Sequence, residues 1–373
     1  MSRQFRRVWA DIDLGAIRHN VGVLAGLAPT AQFCAVVKAD AYGHGAVPVA
    51  WAALDAGAQW LGVATVEEAI QLRDAAIEAP VLLLSEPPTE AMEEVVARKL
   101  TPLVYTRGAV EALAAAAKAT GAPVDAHVKV DTGMHRVGAA LEEAVAIGTA
   151  IESAPGVRLA GLCTHFAVAD DPADGFTSEQ VQRFEQARAR FTAAALDPPL
   201  LHAANSAGLI AHPTAHYNLV RAGISMYGYA PSKHLEGWAD LRPAMTLRTE
   251  VAFVKTVDAG ERISYGRRYV FGRPSVVATL PIGYADGVIR RLSEVEAQVL
   301  IGGQRRRIAG VVTMDQLTVD CGEAAVAPGD EAILIGTQGD ACVTADEWAE
   351  RLGTISYEVL CHIGTRVPRV HHE

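Results

Sequence analysis

Eight short apolar segments, separated by amphipathic stretches rich in alanine, organise the first two thirds of the chain. They are apolar almost throughout, which is typical of strands buried on both faces of a parallel sheet. The segments are FCAVVK (33–38), LGVAT (61–65), VLLLSE (81–86), LTPLVYT (100–106), VDAHVKV (124–130), LAGLCTHF (159–166), LLHAAN (200–205) and NLVRAGI (218–224). The intervening stretches, such as AMEEVVARKL and GAVEALAAAAKATG, have the periodicity of helices. This alternation predicts a (β/α)8 barrel. A doubly wound sheet is the alternative, which the absence of GxGxxG after the first strand disfavours.

The pattern changes after about residue 240, where shorter or alternating strands are separated by turns containing Gly, Pro and Asp. The predicted strands are TLRTEVAFVKTV, SVVATLPIGY, AQVLIGG, RRRIAGVVTMDQLTVD, EAILIGT and RVPRV, with one short helix, ADEWAERLG. We therefore predict a barrel domain over 1–240 and a mostly β domain over 241–373. The first ten or so residues are candidates to pack with the second domain.

Composition narrows the class of protein. The longest apolar runs are strand-sized, so no membrane span is predicted, and Asp11 and Asp13 interrupt any signal-peptide core. A soluble, cytoplasmic protein is the expectation. The net charge of -10 argues against nucleic-acid binding. Five cysteines without CxxC spacing and histidines without HExxH spacing predict neither a disulfide framework nor a metal site.

Lysine is scarce: only six of the 33 basic residues are lysines. Of these, only Lys38 and Lys129 emerge from buried apolar strands. Desolvation in such a place lowers the pKa of an ammonium group and frees an amine nucleophile. A lysine paired with a carboxylate at the barrel rim is the structural alternative.

Other polar residues also follow strands, at the end of a barrel where active sites lie. Arg136 follows the fifth predicted strand and His165 ends the sixth. The seventh and eighth strand ends, which form phosphate sites in many barrels, carry Asn205, Ser206, Arg221, Gly223 and Ile224. A tight turn would also account for Gly223. A lysine nucleophile together with a phosphate cradle suggests pyridoxal 5'-phosphate (PLP) as cofactor.

Three polar motifs of the second domain add a further candidate site. They are ISYGRRYVF (263–271), PIGYADGV (281–288) and VVTMDQL (311–317). Tyr265, Tyr284 and Asp315 lie at their strand-to-turn junctions. Each alone is more often structural, but three such motifs in one small domain favour a site.

Taken in order, these motifs resemble the bacterial alanine racemase family over nearly the whole chain. The matching segments are AVVKADAYGHG (35–45), HVKVDTGMHRVG (127–138), HFAVAD (165–170), HAANSAG (202–208), VRAGISMYG (220–228), SYGRRY (264–269), GYADG (283–287), TMDQ (313–316) and RVPRV (366–370). The resemblance implies a PLP-dependent racemase of L- and D-alanine, acting as a homodimer whose subunits share the active sites. It also implies a role in supplying D-alanine for peptidoglycan.

The resemblance implies individual roles too. Lys38 would hold the cofactor covalently and act as the base on the D-side of the substrate. Tyr265, from the partner subunit, would be the base on the L-side. Arg221 would face the pyridine nitrogen, and His165 would connect Arg221 to Tyr265. The phosphate would be held by Tyr42, Ser206, Gly223, Ile224 and Tyr357.

The substrate carboxylate would be bound by Arg136 and by the backbone N–H of Met314. Lys129 matches a lysine that is carbamylated in many members, which would fix Arg136. Asp171 and Arg290 fit entrance positions. Val311 departs from the family, which usually has an arginine there, so the entrance is expected to be less positively charged.

Three other activities are the alternatives. A racemase of broader or serine-type preference differs only in pocket shape. A related decarboxylase would place an acidic residue where Arg221 stands. A PLP carrier would need only a barrel, without the SYGRRY and TMDQ motifs.

Overall fold

A computed structural model describes residues 5–373, which form two compact units. The first comprises residues 15–41 and 45–242. The second comprises the described chain up to Leu14, residues 42–44, and Pro243–Glu373.

The first unit is a barrel of eight parallel strands that follow one another around the sheet. The strands are β2 (Gln32–Val36), β3 (Trp60–Val63), β4 (Val81–Leu83), β5 (Leu100–Val104), β6 (Val124–Lys129), β7 (Val157–Cys163), β8 (Leu200–His202) and β9 (Leu219–Ala222). β9 pairs with β2, and the backbone N–H of Arg221 donates to Ala204 O at 3.0 Å beside β8, so the barrel is nearly closed. The predicted fold class is confirmed, and each predicted segment overlaps one strand.

Helices alternate with these strands, and the two amphipathic stretches quoted from the sequence form α5 and α6. They are α1 (Leu14–Leu27), α2 (Lys38–Gly43), α3 (Ala46–Asp55), α4 (Val66–Asp74), α5 (Met92–Ala97), α6 (Arg107–Thr120), α7 (Leu141–Ser153), α8 (Phe176–Ala193) and α9 (Ser206–Ala211). Side chains at the helix starts fix some of the turns. Thr65 and Glu68 form a reciprocal capping box at α4, and Thr106 caps α6. The helix α1 was not predicted.

The predicted barrel strands extend too far at their carboxyl ends. The strand expected to reach Lys38 ends at Val36, and the one expected to reach Asn205 ends at His202. Apolar character continues beyond the last ladder bond because the turns at the barrel mouth are themselves buried. The apolar pattern therefore marks burial, whereas the end of a strand is set by where the backbone stops pairing.

The second unit contains a sheet of ten strands and a separate two-stranded ribbon. The strands are β1 (Val8–Asp13), β10 (Met245–Glu250), β11 (Phe253–Val257), β12 (Arg262–Ile263), β13 (Tyr269–Val270), β14 (Ser275–Leu280), β15 (Gln298–Ile301), β16 (Gln304–Ile308), β17 (Leu317–Gly322), β18 (Glu331–Gln338), β19 (Ala341–Val343) and β20 (Arg369–His372). β1 lies between β10 and β20. Two helices, α10 (Ala345–Leu352) and α11 (Ser356–Cys361), precede β20.

Two long segments predicted as single strands are interrupted. The segment 246–257 divides into β10 and β11, and 305–320 divides into β16 and β17. The interruption between β16 and β17 is the loop that carries the TMDQ motif. Helix α10 forms as predicted, whereas α11 was not predicted. No helix among residues 5–373 has both the length and the apolar character needed to cross a membrane.

Candidate active site

Lys38 lies just beyond strand β2, at the start of an unusual turn. The four residues that follow it, Ala39 to Tyr42, have φ angles of 51° to 54°, so α2 is a left-handed turn made of non-glycine residues. Such a conformation costs roughly 1–2 kcal/mol per residue. Glu68 accepts a hydrogen bond from the backbone N–H of Ala39 at 2.7 Å, and Asp40 accepts one from that of Ala46 at 2.8 Å. These carboxylates stabilise the turn and thereby the position of Lys38.

Basic side chains gather around His165 in the barrel unit. Burial lowers the pKa of His165 well below its usual value, and the charges of Arg221, Lys129, Arg136 and Lys38 lower it further. Since each of these cations disfavours protonation, the imidazole is neutral at neutral pH. The excess of positive charge favours an anionic ligand.

Arg221 is buried on strand β9 and held by several acceptors. NH1 donates to Nδ1 of His202 at 2.6 Å, and NH2 donates to the carbonyls of Thr164 and Ala203 at 2.9 and 3.0 Å. Nδ1 of His165 lies 3.4 Å from NH2. Burial lowers the pKa of Arg221, but a guanidinium remains charged in proteins. These bonds do not use Nε.

Two buried histidines that sequence reasoning missed lie behind Arg221. Nδ1 of His127 is 2.9 Å from Nε2 of His202, and both rings are fully buried. The sequence held one signal for His127. It stands two residues before Lys129 in β6, and residues two apart in a strand share a face.

Lys129 is buried at the end of β6, near Arg136. Burial lowers the pKa of Lys129, and the charges of Arg221 and Arg136 add to this effect. The expected desolvation of this lysine is therefore confirmed. Asp131 next to it accepts hydrogen bonds from the backbone N–H groups of Gly133 and His135 at 2.9 and 3.1 Å. Although burial acts to raise the pKa of Asp131, these donors lower it below the usual value.

The ends of β8 and β9 are joined by a short polar contact. The backbone N–H of Gly223 donates to Oγ of Ser206 at 2.8 Å. Ile224 is buried and begins a 3-10 turn over Ile224–Tyr227. Asn205 caps helix α9 by accepting from the N–H of Gly208 at 2.9 Å, so in this structure its side chain has a structural partner.

In the second unit, the GYADG and TMDQ loops are tied together by their backbones. The N–H groups of Tyr284 and Ala285 donate to the carbonyls of Thr313 and Met314 at 2.9 and 3.0 Å. The two chains approach so closely that a Cβ added at Gly283 would lie 2.3 Å from Thr313 O. The loop position of Met314 is therefore set by backbone contact.

A buried carboxylate anchors the same pair of loops. Asp286 is fully buried and accepts two hydrogen bonds from Arg6, at 2.7 and 2.9 Å. It also accepts from the N–H of Gly283 at 3.0 Å and pairs with Arg366 at 3.2 Å. Arg366 in turn donates to Asp315 at 2.8 Å. Sequence reasoning did not single out Asp286.

Tyr265 and Met314 are exposed in the single chain, with 72% and 52% of their surface accessible. Tyr265 follows Ser264, whose hydroxyl donates to the carbonyl of Val311 at 3.0 Å. Val311 itself is buried.

The predicted site residues also include Tyr42, Tyr357, Arg290 and Asp171. The rings of Tyr42 and Tyr357 are tilted neighbours with centroids 6.0 Å apart. Burial raises the pKa of Tyr42 above its usual value, so its hydroxyl keeps the hydrogen. Arg290 is exposed at the start of a 3-10 turn, and Asp171 accepts from the N–H of Ala173 at 3.0 Å.

Comparison with known proteins covers almost the whole chain. A family profile described as "Alanine racemase, N-terminal domain" matches residues 12–231, and "Alanine racemase, C-terminal domain" matches residues 244–371. An alanine racemase of Symbiobacterium thermophilum is 45% identical over 367 residues, covering 98% of this chain and 97% of the relative.

Solved structures agree with the sequence comparison. The alanine racemase from D-cycloserine-producing Streptomyces lavendulae superposes with a TM-score of 0.94 at 40% identity, covering 100% of this chain and 98% of that one. The alanine racemase of Bacillus anthracis with bound L-Ala-P gives 0.94 at 36% identity, covering 100% and 96%.

Proposed function

The chain belongs to the alanine racemase family, and we propose that it interconverts L-alanine and D-alanine with PLP as cofactor. The observation that carries this proposal is the cluster of Lys38, Lys129, Arg136 and Arg221 around a neutral His165 at the barrel mouth. The proposed role in the cell is the supply of D-alanine for peptidoglycan.

The residues of the barrel fit PLP, which carries a phosphate, a phenolate oxygen and an aldehyde. The cationic cluster matches its negative charge, and Lys38 offers the amine that an aldehyde requires. Ser206, Gly223 and Ile224 at the ends of β8 and β9 supply a hydroxyl and backbone N–H groups for the phosphate. Tyr42, which keeps its hydrogen, would donate to the same phosphate, with Tyr357 beside it and Asn205 holding the start of α9.

Racemisation requires that a proton be removed from one face of Cα and returned on the other. When bound, PLP withdraws electrons from Cα and so makes its proton removable. We assign Lys38 to the D-side and Tyr265 to the L-side of the substrate. Two bases of different kind on opposite faces allow either enantiomer to be made.

Arg221 would hold the pyridine nitrogen without giving up a proton. A guanidinium has donors and no acceptor, and its bonds to His202, Thr164 and Ala203 fix its plane. His165 would connect Arg221 to Tyr265. An acidic residue at this position would favour the decarboxylase alternative, but Arg221 occupies it.

The substrate carboxylate would be bound by Arg136 and by the backbone N–H of Met314. Tyr284 and Asp315 would support the loop that carries Met314, through the backbone bonds of Tyr284 and the pair of Asp315 with Arg366. Asp171 and Arg290 would line the entrance, where Val311 contributes no charge.

Lys129 would carry a carbamate. Its lowered pKa increases the fraction of neutral amine, which is the form that adds to carbon dioxide with loss of a proton. The carbamate would replace a positive charge with a negative one between Arg136 and Arg221. It would thereby hold Arg136 in position and reduce the mutual repulsion of the cluster.

A homodimer would complete the site. Tyr265 and Met314 are largely exposed in the single chain, although a proton-transferring base works best where water is excluded. Phe253, Val270 and Ile355 of the same unit are also exposed. A partner subunit packed against Tyr265 and Met314 would bury these two side chains and receive Tyr265 in its own site.

The test is to incubate the holoenzyme with L-alanine in heavy water and follow optical rotation together with α-deuteration. We expect loss of rotation with incorporation of deuterium, and retention of rotation would refute the proposal. L-serine in the same assay measures the breadth of specificity.

Two pairs of variants then test the bases. Lys38→Ala should abolish activity and the visible absorbance of bound cofactor, whereas Lys118→Ala, on the outer helix α6, should change neither. Tyr265→Phe should slow exchange from L-alanine more than from D-alanine. Tyr269→Phe is the matched control, because it removes a tyrosine hydroxyl that is bonded to Asp320 and has no assigned role in proton transfer.

A further inference from the structure

The two buried histidines behind Arg221 form a hydrogen-bonded chain whose direction can be worked out. The guanidinium of Arg221 can only donate, so Nδ1 of His202 must be the acceptor in their 2.6 Å contact. A neutral His202 then carries its hydrogen on Nε2. That hydrogen points along the 2.9 Å contact with His127, whose Nδ1 must therefore accept.

The opposite direction is ruled out by the same geometry. If Nδ1 of His127 carried the hydrogen, Nε2 of His202 would have to accept it. The hydrogen of His202 would then lie on Nδ1, facing an N–H of Arg221 across 2.6 Å. Two N–H groups cannot point at each other with their nitrogen atoms only 2.6 Å apart. Both histidines must also be neutral, because burial together with the charge of Arg221 lowers the pKa of His127 to about 3 and that of His202 well below its usual value.

The barrel is built to accommodate this arrangement. Gly161 on β7 pairs with His127 on β6, and a Cβ there would lie 2.5 Å from Cγ and Nδ1 of the imidazole. The ring of Trp60 is a tilted neighbour of the His127 imidazole, with centroids 5.7 Å apart. Among the residues that the structure describes, Nε2 of His127 has no hydrogen-bond partner. The chain thus ends at His127, and its single polar link leads to His202.

We propose that His127 is a positioning residue for Arg221. By accepting from Nε2 of His202, it selects the tautomer of His202 whose Nδ1 accepts from Arg221. The guanidinium is thereby fixed in the plane that it presents at the barrel mouth. One part of this inference rests on the proposed function, namely that the group which Arg221 faces is the pyridine nitrogen of the cofactor.

The first test observes the chain directly in the unaltered protein. Protein labelled with 15N-histidine is studied by long-range proton–nitrogen correlation, with and without PLP, between about pH 6 and pH 8. We expect His127 and His202 each to carry one hydrogen, on Nε2, at every pH. A hydrogen on Nδ1 of either ring, or a doubly protonated His127, would overturn the inference. Single substitutions at each histidine assign the signals.

The second test compares variants that keep or remove the acceptor. In His127→Asn the amide oxygen can replace Nδ1, whereas His127→Leu has no acceptor. We expect kcat to fall roughly tenfold in the Leu variant with little change in KM, and the Asn variant to recover most of it. The Nε2–H signal of His202 should shift in the Leu variant and return in the Asn variant.

Gly161→Ala displaces His127 without changing a polar group, so it should resemble the Leu variant. If the Leu and the Ala variants both kept the kcat and the His202 signal of the unaltered protein, the positioning role would be refuted. If a variant does not fold, the tautomers measured in the unaltered protein still test the inference, because a hydrogen on Nδ1 of either ring would overturn it. Absence of racemisation by the unaltered enzyme would refute the proposed function and leave the tautomer result standing.

Discussion

Replacing Gly283 by alanine is the sharpest test of how the second unit positions Met314. The backbone at Gly283 is extended, with φ of -151°, so alanine is allowed there by conformation. The obstacle is steric, since the added Cβ would lie 2.3 Å from Thr313 O and 2.5 Å from Met314 O. Both contacts are with backbone, which cannot rotate away as a side chain can.

The size of the effect follows from these distances. Restoring ordinary contact requires the two loops to separate by about 1 Å, and a misplacement of that size can lower kcat/KM about a hundredfold. The separation would also lengthen the bonds from Tyr284 and Ala285 to the TMDQ loop, now 2.9 and 3.0 Å. Overpacking of this kind costs about 1–3 kcal/mol in free energy of unfolding. We expect the loss mainly in KM, because the Met314 N–H is assigned to the substrate carboxylate.

The assay measures kcat and KM for alanine in both directions, together with urea unfolding. Gly272→Ala is the control, since Gly272 is exposed and a Cβ added there would meet no atom within 4 Å. It should leave both quantities unchanged. A Gly283→Ala enzyme with the KM of the unaltered protein would show that the TMDQ loop does not bind the carboxylate.

Three further outcomes are expected. With 13C-bicarbonate, a carbamate signal should appear and should be lost in Lys129→Ala; a signal retained in that variant would place the modification elsewhere. Because His127, His165 and His202 are neutral when folded and protonate at about pH 6.5 when unfolded, the unfolded state binds up to three more protons below that pH. As the pH falls from about 6 to 4, the free energy of unfolding of the apoprotein should therefore fall by up to about 4.1 kcal/mol per pH unit, and His127→Asn should remove about a third of this contribution; an identical slope would contradict it. Asp286→Asn should lower the free energy of unfolding by about 2–3 kcal/mol in urea titrations at neutral pH, because Arg6 loses a charged acceptor that is fully buried.

The repeating elements could be predicted because burial imposes a pattern on sequence. Strands β2 to β9 are covered on both faces, which requires continuous apolar runs. The breaks in the second unit could not be predicted in this way. The residues between β10 and β11, and those that begin the loop after β16, are as apolar as a strand. There the backbone turns for reasons of pairing that a hydrophobic pattern does not encode.

For the site, residues that protrude from strand ends were accessible to sequence reasoning, and residues that act through other residues were not. Lys38 and Lys129 stood out because, of only six lysines in the chain, these two alone emerge from segments predicted to be buried apolar strands. His202 lay inside a matched motif, but its role depends on the approach of Arg221 from the neighbouring strand. The same holds for Asp286, whose partner Arg6 is 280 residues away in the chain.

The left-handed turn after Lys38 also bears on the order of events when the protein is made. Four successive non-glycine residues have positive φ in this turn, and Glu68, from the start of α4, stabilises it by accepting the N–H of Ala39. The acceptor is therefore absent until β3 and α4 have docked beside β2. We expect a nascent or refolding chain to acquire its cofactor late, after this part of the barrel has formed. Stopped-flow refolding with PLP present would show cofactor absorbance lagging behind the recovery of helical circular dichroism, and simultaneous appearance would contradict this order.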